Sequence, residues 1–98
     1  AECAKKCRDC AAHCKDCITC CKDDRPDCAK LCEACQYLCL ACASLHEQHG
    51  KLAEDVCVNC EKLCLECAVS CDKGTKECCK ECAKMCRECA AACKASRG

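Results

Sequence analysis

The chain reads as all-α: an antiparallel up-down-up-down four-helix bundle with cysteine stripes facing its core. Three observations predict this. Cysteine recurs at alternating four- and three-residue steps in four successive stretches, a spacing that gathers side chains on one face of a helix. The stretches are joined by short polar connectors, which favour antiparallel neighbours. The chain has no Phe or Trp, and Tyr37 is its one aromatic residue. Cysteine, at 23 of 98 residues, is therefore the only side chain abundant enough to fill a core, and buried thiols behave as small hydrophobes.

The first helix is expected over about residues 1–22, with Cys3, Cys7, Cys10, Cys14, Cys17 and Cys21 on its inner face. Ala4, Ala11 and Ile18 flank that stripe, and the small residues let a neighbouring backbone approach closely. Lys5, Arg8, Asp9, Lys15, Asp16 and Asp23 make a solvated outer face. Asp23 to Pro26 form a connector; proline suits a first helical turn, and Asp24 or Asp27 suits the positive end of the helix dipole.

The second helix, about 27–49, carries Cys28, Cys32, Cys35, Cys39 and Cys42, with Leu31, Leu38 and Leu45 as an apolar edge. The same spacing continues to His46 and His49, and Gly50 is the expected stop. The third helix, about 52–72, carries Cys57, Cys60, Cys64, Cys67 and Cys71 beside Val56 and Leu63. Gly74 is expected as a left-handed terminator and Thr75 as the next N-cap. The fourth helix, about 75–96, carries Cys79, Cys82, Cys86, Cys89 and Cys93. All of this forms a single domain spanning 1–98. Twenty-one of the 23 cysteines fall on stripes; Cys20 and Cys78 sit on the flanks. In an antiparallel bundle Cys20, Cys21, Cys28, Cys71, Cys78 and Cys79 collect at one end. Cys3, His46, His49, Cys57 and Cys93 collect at the other.

Sixteen basic residues balance 16 acidic ones, so nothing in the charge favours a nucleic acid or membrane-surface partner. No apolar run approaches the roughly 20 residues of a spanning helix, and no stretch reads as a secretory leader, although a leader removed before Ala1 is compatible with the sequence. A long-lived free-thiol core fits a cytoplasmic, reducing compartment; a metal-filled one would also be protected in an exported form.

Inert packing is a poor reason for such a core, because each large-to-small replacement costs about a kcal/mol or more. Disulfides are also a poor fit. Helical neighbours have Cβ atoms about 5–6 Å apart, beyond the roughly 3.5–4.5 Å that a disulfide spans, and 23 is odd. Soft thiolates select Cu(I), zinc or iron–sulfur clusters. Filling the core with zinc would bury about five four-sulfur sites, each dianionic, which is expensive. Cu(I) accepts fewer sulfurs, and one copper per thiolate leaves the core near neutral. Iron–sulfur clusters use compact, loop-borne sets of four cysteines, often followed by proline, and no such set is present.

All 23 cysteines are thus candidate metal ligands for multiple Cu(I) ions. His46 and His49 are candidates for passing metal inward, or serve simply as imidazoles near a helix C-terminus. His13 is expected at the surface or an interface, Met85 as core filler and Tyr37 as packing. No nucleophile–base pair suggests an enzyme. Two other readings stay open: zinc or cadmium buffering, and a redox protein cycling thiols and disulfides, although no pair with a depressed pKa stands out.

The alternating Cys-x-x-x-Cys and Cys-x-x-Cys spacings on four helices resemble the bacterial copper storage proteins. The runs Val56-Cys57-Val58-Asn59-Cys60-Glu61-Lys62-Leu63-Cys64-Leu65-Glu66-Cys67 and Cys82-Ala83-Lys84-Met85-Cys86-Arg87-Glu88-Cys89 carry the likeness most clearly. The resemblance implies a four-helix bundle that holds many Cu(I) ions inside, in a cytosolic or exported form, often as a homotetramer. This chain has more cysteines than the resemblance implies. It also lacks the His-rich turn between the third and fourth helices associated with cytosolic members.

Overall fold

A computed structural model describes residues 2–48 and 51–96. It contains four helices: α1 Glu2–Cys21, α2 Pro26–Glu47, α3 Leu52–Asp72 and α4 Glu77–Ser96. They form an elongated bundle of 39 × 18 × 17 Å. Around the bundle α1 packs on α2 and α4, and α3 packs on the same two helices. Among the described residues no backbone contact crosses either diagonal. That axial space belongs to the side chains.

What fills it is set by the stripe. Among the described residues, those that are buried are all cysteine or alanine. Ala4 and Ala11 on α1, Ala29 and Ala43 on α2, Ala68 on α3, and Ala83 and Ala90 on α4 lie along the edges of the stripes. The expected apolar edge also packs as read: Ile18, Leu31, Leu38, Val56 and Leu63 lie half-buried against the sulfur core. Ion pairs bind the outside, joining Lys6 to Glu88 at 2.9 Å, Arg8 to Glu47, and Arg87 to Asp72. Exposed pairs of this kind contribute about 1 kcal/mol or less each.

The turns differ from the sequence reading in three places. α2 starts at Pro26, with Arg25 as its N-cap residue and Asp27 in the first turn; proline needs no amide partner there. α4 starts at Glu77, two residues later than expected: the Lys76 carbonyl, not Thr75, receives the first amides, from Cys79 and Lys80. Gly74 does not adopt a left-handed backbone. It is needed for space, because a Cβ there would lie 2.7 Å from both the Cys79 sulfur and Arg25 Nη1. The expectations for His49 and Gly50 lie outside the described residues.

Two surface readings also change. Tyr37 points to solvent, 63% exposed, because it sits on the face of α2 opposite the cysteines. α2 also reaches the length and mean hydropathy, 1.2, of a membrane-spanning segment. Its cysteines supply much of that hydropathy, and their face lies in the core.

Candidate metal centre

Four inward stripes on four antiparallel helices produce one continuous column of sulfur. Twenty-one cysteines are free and buried, none more than 2% exposed. Because side chains three and four apart share a helix face, each helix stacks its sulfurs along the axis. The antiparallel neighbour then inserts its own between them.

Sulfur–sulfur distances show the weave. Between α2 and α3, Cys32 lies 3.6 Å from Cys67, and Cys35 and Cys39 lie 3.7 Å from Cys64. Between α1 and α4, Cys10 lies 3.7 Å from Cys86, Cys14 3.8 Å from Cys82 and Cys7 3.6 Å from Cys89. Sulfurs also meet across the diagonals that the backbones leave empty, Cys17 with Cys71 at 3.8 Å and Cys39 with Cys89 at 3.9 Å. Sets of four able to hold a metal ion overlap along the column. Examples are Cys3, Cys7, Cys42 and Cys93; Cys7, Cys60, Cys89 and Cys93; and Cys10, Cys35, Cys39 and Cys64. Successive sets share members, so the column is a polynuclear lattice of ligands rather than a row of separate sites.

The two ends differ. At one, Cys3 lies 3.6 Å from Cys93 and 3.9 Å from Cys57. His46 joins Cys3, Cys42 and Cys57 in a candidate set, and its Nε2 is buried with no hydrogen-bond partner. A partnerless buried nitrogen beside three thiols is suited to a soft metal ion. At the connector end, Cys21 and Cys79 approach to 3.1 Å and Cys28 lies 3.8 Å from Cys71. Both ends hold the cysteines expected of them.

Cys20 and Cys78 depart from the expected ligand set. The structure joins them as a disulfide, with Cα atoms 6.8 Å apart, outside the column between α1 and α4. While that bond is closed neither sulfur is a free thiol, and the stripes are intact. The signal was present in the sequence: both residues sit on the flank of a stripe, one position before its terminal cysteine. His13 is half-buried, with Nδ1 enclosed and without a partner, lining a shallow hollow with Asp16, Glu77, Cys78 and Glu81. Met85 is half-buried beside the stripe.

Burial governs the protonation of the column. At its ends it pushes the Cys3 thiol up to about 12 and also raises Cys21 and Cys28. Deeper in, hydrogen bonds between sulfurs divide the thiols. Cys10, bonded to Cys14, and Cys17, bonded to Cys32, are pulled down to about 7. A cluster of buried thiols cannot ionise throughout, since each new anion would be unpaired in a poorly solvated interior. A monovalent cation that replaces the proton on each sulfur removes that penalty.

Sequence reasoning missed Arg25. Its Nη2 donates to the Ser70 carbonyl at 2.5 Å, and Nη1 is buried without a partner. With Gly74 it closes the connector end of the column. Nothing in a four-residue turn marks one arginine as inward, because only the three-dimensional meeting of the two connectors brings it there.

No curated protein sequence matches this chain. Solved structures share its fold, among them the two that follow. The Cu(I)-bound copper storage protein BsCsp3 has 26% identity and a TM-score of 0.90, with 95% of this chain and 92% of that chain covered. Apo-Csp3, copper storage protein 3 from Bacillus subtilis, has 27% identity and a TM-score of 0.94, with 99% and 97% covered. The family described as copper storage protein matches residues 1–97. With a sulfur column inside four antiparallel helices and a family match over nearly its full length, this chain belongs to the copper storage protein family.

Proposed function

We propose that the chain stores Cu(I) in bulk, without turnover, on the 21 cysteines of the column, with Cys20 and Cys78 outside the store. The column itself carries this reading: 21 buried thiols spaced so that every sulfur has neighbours to share an ion with. Charge favours Cu(I) over zinc, because one Cu(I) per thiolate is neutral and a four-thiolate zinc site is dianionic. Anaerobic titration of the reduced protein with Cu(I) tests it. Saturation should track the column thiols, and saturation at a handful of ions would overturn the reading. Displacement of bound copper by zinc would move the assignment to zinc buffering.

His46 serves the loading end, where its free nitrogen faces three thiols. A reducing, cytoplasmic compartment is supported by the 21 unpaired thiols; the Cys20–Cys78 bond, outside the column, is the one link that reduction would open there. A homo-oligomer is supported by the exposed apolar side chains of Tyr37, Leu40, Leu52, Leu65 and Val69. Light scattering of the purified protein reads the number of subunits directly.

A further inference from the structure

The connector end of the column holds a cation, Arg25. Arg25 lines one cavity with Cys21, Gly74 and Cys79 and a second with Cys28 and Ser70. Its guanidinium is anchored through Nη2 to the Ser70 carbonyl, while Nη1 is enclosed and unused. Nη1 and the Cys79 sulfur lie the same 2.7 Å from the point that a Cβ on Gly74 would occupy. The chain is bare at Gly74 so that charge and sulfur can meet. Asp24, the carboxylate next in sequence, is held by Lys76 instead. A buried donor on a fixed positive charge, facing thiols and lacking an acceptor, is unfavourable unless those thiols become anionic.

We propose that Arg25 is the counter-ion of an anionic copper site made by Cys21 and Cys79, in which one Cu(I) is held by two thiolates. This rests on the storage reading and gives the column a polarity. Elsewhere one Cu(I) displaces one proton and leaves no charge. Here two S–H bonds break, two Cu–S bonds form and two protons leave to solvent, with no electron transferred. The product carries one negative charge, and the guanidinium cancels it with a charge-assisted hydrogen bond. Cys21 and Cys79 are the closest pair of free sulfurs, at 3.1 Å. The adjoining cavity of about 180 Å³ gives them room to spread around an ion. His46 at the far end offers an imidazole nitrogen as a further ligand.

The test compares wild type, Arg25→Lys and Arg25→Gln. Lysine keeps the charge; glutamine keeps a donor for the Ser70 carbonyl and loses the charge. Anaerobic titration with Cu(I) supplied in acetonitrile at fixed pH counts the protons released, and elemental analysis of the same saturated proteins counts the copper bound. In wild type and Arg25→Lys, protons lost should exceed copper bound by one more than in Arg25→Gln. Iodoacetamide mapping should find Cys21 and Cys79 protected in the first two and labelled in the third. An equal proton surplus and equal labelling in all three chains would overturn the proposal and leave Arg25 a clasp between the connectors. Failure of wild type to hold copper on the rest of the column would instead remove the storage reading. Because Arg25→Gln could affect folding, the proton count of wild type stands as a separate criterion: loss of no more protons than coppers bound overturns the proposal without any variant.

Discussion

At the scale of single residues, the smallest side chains carry the sharpest constraints. Gly74→Ala would place a methyl 2.7 Å from the Cys79 sulfur, 2.9 Å from Cys79 Cβ and 2.7 Å from Arg25 Nη1. Such overpacking costs about 1–3 kcal/mol, so thermal unfolding of the reduced, metal-free variant should occur several degrees below wild type. The pair Cys20 and Cys78 makes the opposite case. Replacing both with serine should leave Cu(I) capacity at the wild-type value, because neither sulfur reaches the column. A loss of copper in proportion to the two missing thiols would return them to the ligand set. The same contrast marks what sequence could show. Spacing alone assigned every stripe cysteine to the interior, since helical periodicity decides burial when one residue type supplies the core. It passed over Arg25, whose place does not depend on period, and it gave Tyr37 a packing role although the α2 period sets that side chain opposite the stripe. Arg25 acquires its place from the last turn of α3, 45 residues away in sequence, as its hydrogen bond to the Ser70 carbonyl shows.

At the scale of an element, each helix has a sulfur face, an alanine or larger apolar edge, and a charged back. The edges of α4 are nearly smooth, with Ala83 and Ala90 buried at 2% and 4% exposure. Ala83→Leu should therefore destabilise the metal-free protein by about 1–3 kcal/mol, seen as a lower midpoint in urea, where the same change at exposed Ala12 has little effect. The helix faces also set an alkaline limit. Cys3 has its pKa raised by burial from 9.0 to about 12. Between those values the unfolded chain has lost the proton and the folded chain retains it, so stability falls as pH rises. Cys21 and Cys28 shift in the same direction. Circular dichroism of the reduced, metal-free protein should show stability rising between about pH 7 and 9, where Cys10 and Cys17 ionise first in the folded chain, and falling above about pH 9. Helix boundaries were legible to within two residues from the stripes and connectors, and most were within one. The start of α4 was the exception, because Thr75 looks like a cap by type while Lys76 provides the carbonyl by position.

For the whole molecule, the copper-free state has a core of small thiols with little dispersion energy per residue, and the folded column presents sulfurs already brought together, which the unfolded chain would have to gather around each Cu(I). Ligand that binds the folded state stabilises it by mass action. The unfolding temperature should therefore rise steadily as copper is added, continuing until the column is full, and fall back when a Cu(I) chelator strips it. A plateau after the first few ions would indicate that most of the column is not used. Antiparallel order and the contents of each end followed from connector length; the closure of one end did not.

Enclosure of all 21 thiols, none more than 2% exposed, has a consequence for how the molecule meets its surroundings. Where each Cu(I) takes the place of one proton, a full molecule and an empty one present the same charge, apart from the single unit set at the Arg25 end. The balanced exterior, with a sequence pI near 6.9, does not register the cargo. Isoelectric focusing of empty and copper-filled protein should give bands close together, whereas about five dianionic zinc sites would drive the filled band far toward acid. A neighbour in solution that touches only the outer faces therefore meets the same surface at every degree of filling. Any partner that must tell full from empty has to do so at an end of the column.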